Sequence, residues 1–221
     1  MRKVSSNFFA GVQVNANRYY AIDPEPGLVA SGEVNGPTGN RNTGIGVLLL
    51  LDKRDNILNA SRGTFAEASY IGYAKGLGGQ VNYSAFSLDL RHYHRVNAKG
   101  VIAMQLLSLT KTGHVPFLQL SYLGGSDMMR GFYAGRYRDN NLLTVQAEYR
   151  YAIATRWGVV AFAGVGNVTD QWKNFDTSHL KNSIGIGVRR MIDPKGRVNI
   201  RLDVGFGNGT GNFYVNIAEA F

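Results

Sequence analysis

The sequence has no cysteine, which excludes a disulfide-stapled scaffold. It has no strict glycine period, which excludes a collagen-like rod. Charged residues make up only 18% of the 221 residues, below the ~25% typical of soluble domains, while the hydrophobic fraction is an ordinary 44%. That balance is too apolar and aromatic for a disordered chain. Long hydrophobic runs are also missing. The strongest is Val47-Leu48-Leu49-Leu50-Leu51, far short of the ~18 residues a membrane-spanning helix needs. Met1-Arg2-Lys3 begins like a secretion signal, but Ser5, Ser6, Asn7 and Gln13 interrupt the apolar core that should follow, so no signal peptide is expected. No helical stretch and no domain boundary stand out.

What is abundant is glycine (28 residues) together with Tyr (12) and Phe (11). Many glycines and aromatics, few charges and no apolar helix suggest a membrane β-barrel. Period-two alternation runs through the chain. Leu143, Val145, Ala147, Tyr149, Tyr151 and Ile153 fall on one face, with Thr144, Gln146, Glu148 and Arg150 on the other. Val198, Ile200, Leu202, Val204 and Phe206 likewise oppose Asn199, Arg201, Asp203 and Gly205. Phe86, Leu88 and Leu90 oppose Ser87, Asp89 and Arg91, and Phe8, Ala10, Val12 and Val14 oppose Gly11, Gln13 and Asn15. Alternation alone fits a soluble sandwich as well as a barrel. Length separates them. About ten strands are predicted, over 4–19, 43–52, 64–75, 79–94, 99–111, 141–153, 157–168, 181–191, 197–207 and 212–221. Most reach the ~9–11 residues of a tilted membrane strand rather than the usual 5–6. Long connections at 20–42, 112–140 and 169–180 alternate, imperfectly, with short turns such as 97–100, 154–156 and 193–196. That is the outer-membrane arrangement, with short turns normally periplasmic. The fold class expected is therefore all-β, an antiparallel transmembrane barrel forming one domain over 1–221 with no periplasmic domain.

Three stretches resemble the bacterial surface antigen superfamily of outer-membrane barrels, the BamA/TamA family. Asp52-Lys53-Arg54-Asp55-Asn56 followed by Asn59-Ala60-Ser61-Arg62-Gly63 resembles its periplasmic turn, D-x-R-D-N-x-x-N-P-x-R-G, with Ala60 in place of Pro. Gly124-Gly125-Ser126-Asp127-Met128-Met129-Arg130-Gly131-Phe132 resembles its V-R-G-F/Y loop, with Met129 at the aliphatic position. Ser183 to Arg189, Arg201-Leu202-Asp203 and the segment to Phe221 resemble its last strands. The resemblance covers about residues 43–221. It implies a non-enzymatic outer-membrane protein concerned with insertion or translocation of polypeptide. Its partners would be outer-membrane lipid and client outer-membrane proteins or other barrel subunits. The alternative is a structural or pore-forming barrel without transport activity. Family barrels usually have sixteen strands, and by position these are the last ten. Ten strands would close at a backbone radius of roughly 10 Å, against roughly 16 Å for sixteen, leaving little room for the 112–140 loop. The chain is therefore expected to be the C-terminal part of a larger barrel or to acquire strands from elsewhere; a closed ten-stranded barrel with the loop above its mouth is the other reading.

The resemblance also implies that the loop motif Met129, Arg130, Gly131 and Phe132 folds back into the barrel. The glycines independently allow this. Gly164, Gly166, Gly185, Gly187, Gly205 and Gly207 share the inner face of three successive strands, a patch where another backbone can approach closely. A buried Arg130 needs an acceptor. The family's usual partner is the Asp of an F-x-D-x-G motif, but Phe162-Ala163-Gly164-Val165-Gly166 has Gly164 there. Glu148 and Asp203 are the substitutes; otherwise Arg130 bonds only loop carbonyls and water. Phe213, Val215, Ile217 and Phe221 form the expected C-terminal strand signal.

Candidates for other chemistry are weak. His92-Tyr93-His94 could hold a metal but lacks a third ligand and continues the outward set of Leu88 and Leu90. Ser84 is too far along its strand from His92 for an outer-membrane lipase pair. Gly205 to Gly211 superficially resembles a phosphate loop, but no helix follows it. The formal charge of +9 comes in part from single arginines alternating along strands, Arg91, Arg150, Arg189 and Arg201, which is not a nucleic-acid patch. They are expected to line a lumen or pair with Asp89, Glu148 and Asp203. No catalytic residue, metal or cofactor is expected, and no nucleic-acid partner.

Overall fold

The computed structural model describes residues 1–20 and 39–221. The predicted connection at 20–42 lies largely outside them. The strands are β1 (Arg2–Lys3), β2 (Phe8–Arg18), β3 (Arg41–Asp52), β4 (Gly63–Tyr73), β5 (Tyr83–Arg95), β6 (Gly100–Gly113), β7 (Ser121–Leu123), β8 (Tyr137–Asp139), β9 (Asn141–Ala154), β10 (Trp157–Thr169), β11 (Lys181–Asp193), β12 (Val198–Gly207) and β13 (Thr210–Ile217). Eleven of them form one antiparallel meander in the order β1-β2-β3-β4-β5-β6-β9-β10-β11-β12-β13. All ten predicted strands are present, and the stub β1 folds back on β2, with Arg2 opposite Ala10. The 112–140 connection carries its own small hairpin, β7 with β8. Among the described residues the sheet is open: β13 pairs with β12 alone and does not meet β2. An open sheet leaves its inner face accessible to the loop, which a closed ten-stranded lumen would not.

The alternation resolves as inside-out. On β11, Ile184 and Ile186 are 65% and 66% exposed, whereas their neighbours Ser183 and Gly185 are buried. Val145, Tyr149, Leu202, Val204 and Phe213 face outward in the same way, while Glu148, Arg201 and Asp203 are buried on the inner face. A strand whose apolar side chains look outward and whose charges look inward suits a lipid surround, not a soluble core.

The turn between β3 and β4 explains its own motif. Asp55 accepts from the Ser61 and Arg62 backbone N–H groups at 2.7 and 3.1 Å and from the Ser61 hydroxyl at 2.6 Å. Asn56 Oδ1 accepts from the Leu58 and Asn59 N–H groups, and Arg54 pairs with Asp52. Gly63 sits at φ 108°, where a side chain is strained and would press on the Lys53 carbonyl.

One strand end differs from expectation. The predicted strand 212–221 stops at Ile217, because Ala218 turns the chain at φ 70°. The Ala218 N–H still donates to the Asn199 carbonyl of β12 at 2.8 Å, and residues 219–221 then fold across the inner face.

Candidate functional site: a loop clamped to the inner wall

The loop after β6 reaches the inner wall by sharp turning at its tip. Gly124, Gly125, Met129, Gly131 and Gly135 all have positive φ. At Gly131 the need for glycine is double: φ is 114°, and a Cβ there would lie 2.6 Å from the Phe206 carbonyl carbon. The wall has the matching gap, since a Cβ on Gly205 would lie 2.7 Å from the Arg130 carbonyl. Gly207 makes room for the Phe132 ring, and Gly164 for the Met129 sulfur at 3.0 Å. At the other glycines of the predicted wall, the atoms nearest to an added Cβ belong to the wall itself. Gly166 faces Thr144, Gly187 faces Asp203 and Arg189, and Gly185 seats the Phe162 ring.

Docking buries Arg130 to 1% exposure. Its Nη1 donates to Asp203 Oδ2 at 2.5 Å, its Nη2 donates to Glu148 Oε1, and its guanidinium carbon sits 3.5 Å from the centroid of the Phe162 ring. Its carbonyl accepts from the Ser183 hydroxyl. The structure thus brings Arg130, Glu148 and Asp203 together from a loop, β9 and β12. Gly164 leaves the space that the Met129 side chain enters. Both carboxylates are shared further. Glu148 accepts from Arg150 Nε at 2.7 Å, and Asp203 accepts from Arg189 at 2.5 Å and Arg201 at 3.3 Å. Arg201 returns to the loop through Asp127 and the Ser126 carbonyl. Each buried charge therefore has opposite charges around it, as burial away from water demands.

The loop is held on its other sides as well. Met129, Phe132, Leu123 and Leu142 form a buried apolar cluster, with Tyr137 edge-on to Phe132 at 5.7 Å. Gln146 accepts from the Met129 N–H and donates to the Asp127 carbonyl, and Gln105 links it to Asp89. On the opposite flank, Tyr214 of β13 accepts from the Gly131 N–H at 2.9 Å, and Thr210 and Asn212 donate to the Gly131 carbonyl, both at 2.8 Å. The loop tip is bonded directly to the edge strand.

Phe213, Val215 and Ile217 project outward from β13, but Phe221 does not join them. It is only 6% exposed, packed on Ala60, Tyr93 and Ala103, with Arg150 donating to its carbonyl at 2.9 Å. The expected C-terminal set is corrected accordingly: the positive-φ turn at Ala218 carries Phe221 to the interior. Glu219 goes with it, accepting from Arg189 at 2.7 Å and from Asn199 at 2.7 Å. Glu219 was missed, although its position signals it: continued alternation would have put this carboxylate on the lipid side beside Ile217.

His92 lies on the outer face near Thr64, and Ser84 bonds Thr112 rather than a histidine. Among the described residues no group of three or more His, Cys, Asp or Glu side chains is placed to hold a metal ion.

The Omp85 superfamily domain matches residues 3–221. No curated protein matches the chain. Among solved structures, the crystal structure of BamA from Haemophilus ducreyi lacking POTRA domains 1–3 is similar at a TM-score of 0.69 and 15% identity, over 97% of this chain and 52% of that one. The chain thus spans about half the length of that protein, and at this identity the likeness is one of fold. With the family match extending over nearly every residue, the chain belongs to the Omp85 superfamily and has the all-β architecture of its outer-membrane barrels.

Proposed function

We propose that this chain works in the outer membrane as the C-terminal part of a larger barrel that inserts or translocates polypeptide, with lipid and client outer-membrane proteins as its partners. The observation that carries this reading is the attachment of the loop tip to the edge strand, through Gly131 to Thr210, Asn212 and Tyr214. An unpaired strand edge is a template for an incoming strand. A loop anchored by Arg130 at one end and bonded to β13 at the other fixes where that edge lies. The Arg130 motif is in this reading a positioning device, and no catalytic residue is required.

The test is reconstitution of the full chain in liposomes with an unfolded outer-membrane protein. The expected result is faster appearance of the folded, heat-modifiable client than in empty liposomes, with the gain lost in Arg130→Ala. Steady ion conductance without any client assembly would instead support a pore or structural barrel.

A further inference from the structure

On the outer face, three shallow cavities follow one another along β10. The first, of about 640 Å³, is bounded by Tyr149, Val159, Ala161, Ile186 and Val188. The second, of about 650 Å³, is bounded by Tyr149, Ala161, Ala163, Ile184 and Phe206. The third, of about 920 Å³, continues past Ala163 and Ile184 to Val165 and Asn182. Neighbouring cavities share residues, so together they form one trough. Its floor is low because small side chains stand where larger ones flank them. Ala161 lies between Tyr149 of β9 and Ile186 of β11, and Ala163 lies between Ala147 and Ile184. From Val159 to Val165 the trough follows ~20 Å of tilted strand, comparable with one leaflet of a ~30 Å hydrocarbon core.

One end of the trough carries a charge. The outward row of β11 is Asn182, Ile184, Ile186, Val188 and Arg190, in which Arg190 alone is charged. It lies one outward step, ~7 Å, beyond Val188 on the short-turn side. Trp157 is its ladder partner on β10, and the Arg190 guanidinium carbon sits 4.8 Å from the Trp157 ring centroid. Its ladder partner on β12 is the apolar Ile200. The nearby carboxylates Asp203 and Glu219 pair with Arg189 on the inner face, and among the described residues Arg190 has no acidic partner. A guanidinium on a lipid-facing row is costly unless it reaches the interface and meets an anion there. Tryptophan rings settle at headgroup depth, and Trp157 sets Arg190 at that level.

The two features call for different parts of one ligand. The trough suits an acyl chain, and the paired donors of a guanidinium suit phosphate oxygens. A peptide strand laid in the trough would find no backbone partner, because β9, β10 and β11 are each already paired on both sides.

We propose that the trough and Arg190 form a binding site for an anionic phospholipid. Its phosphate rests on Arg190 beside Trp157, and one acyl chain lies along Ala161 and Ala163. The site rests on the membrane reading of the outer face and does not depend on the transport reading. It backs onto the Arg130 clamp, since Glu148 and Phe162 alternate with Tyr149, Ala161 and Ala163 on the same strands.

The chain has two tryptophans, so Trp172→Phe leaves Trp157 as the one tryptophan reporter. That protein is placed in phosphatidylcholine nanodiscs in which a tenth of the lipid has brominated acyl chains, either phosphatidylglycerol or phosphatidylcholine. The expected result is that brominated phosphatidylglycerol quenches Trp157 at least twice as strongly as brominated phosphatidylcholine. Arg190→Gln should abolish that excess by removing the phosphate contact. Ala161→Leu with Ala163→Leu should abolish it by filling the trough while leaving the charge in place. All these positions face outward, and heat-modifiable mobility controls for folding. Equal quenching by the two lipids, or an excess that survives in either variant, overturns the site while leaving the outer face in lipid. Absence of quenching by both lipids overturns the membrane reading of this face together with the site.

Discussion

Arg130 lies with its guanidinium carbon 3.5 Å from the centroid of the Phe162 ring, while its two terminal nitrogens reach Glu148 and Asp203 on either side. The ring is itself seated over Gly185. One loop arginine is thus fixed by a stacking surface on β10 and by carboxylates on β9 and β12. A planar fork fits this arrangement, and a point charge does not.

Arg130→Ala should therefore destabilise the barrel by about 3–5 kcal/mol, since it leaves two buried carboxylates with one fewer cation. Arg130→Lys should retain part of the stability, because the charge stays while the second hydrogen bond and the stacking go. Urea unfolding in detergent micelles, followed by tryptophan fluorescence, gives the ranking wild type, then Lys, then Ala. Equal stability of the Ala variant would show that the clamp carries no energy.

Gly131→Ala and Gly205→Ala should each undock the loop, the first through its positive φ and both through backbone collisions at 2.6 to 2.7 Å. Gly72→Ala, with nothing within 4 Å of the added methyl, is the control and should be neutral to within about 0.5 kcal/mol. Limited proteolysis reports this directly: cleavage at Arg130 should appear in the first two variants and stay absent in the third.

These two sites differ in how well the sequence announced them. Alternation placed Glu148 and Asp203 on the inner face of β9 and β12, and inner glycines marked where a backbone could approach. Both follow from period two and from the absence of a Cβ, properties local to a strand. The pairing of Arg130 with both carboxylates depends on the loop's path, which no local pattern encodes. Phe162 as a stacking surface was hidden for the same reason. The tail was misread because alternation through Ile217 gives no warning of the turn at Ala218. Only the carboxylate of Glu219, which would otherwise face lipid, argues against a continuing strand.

The β3–β4 turn should lose strength in acid. Burial alone would raise the Asp55 carboxyl, but hydrogen bonds from Ser61, Arg197 and Arg62 outweigh it and hold the group well below its ordinary 3.8. A depressed folded pKa means the stabilisation is fully present above the unfolded value and disappears as pH falls through the folded one. Asp55→Asn should then be less stable than wild type at neutral pH, with the gap narrowing only below about pH 4. Melting temperatures of the two proteins between pH 7 and pH 2 test this, and a gap independent of pH would refute the assignment.

The tail and the loop should be energetically coupled although no hydrogen bond or ion pair joins them directly among the described residues. Glu219 shares Arg150 with Glu148, and shares Arg189 with Asp203. Those two carboxylates are the acceptors of Arg130. Removing Arg130 leaves Glu148 and Asp203 more dependent on Arg150 and Arg189, the same cations that hold the tail. Glu219→Gln weakens the competition for those cations. The double variant Arg130→Ala, Glu219→Gln should therefore be less destabilised than the sum of the single variants, with an interaction energy of about 0.5–3 kcal/mol. A double-mutant cycle in urea measures it. Additivity within about 0.3 kcal/mol would mean that the arginines relay nothing between the loop and the tail. Coupling of the expected sign would make the tail part of the device that positions the edge strand, since that same loop is bonded to Tyr214.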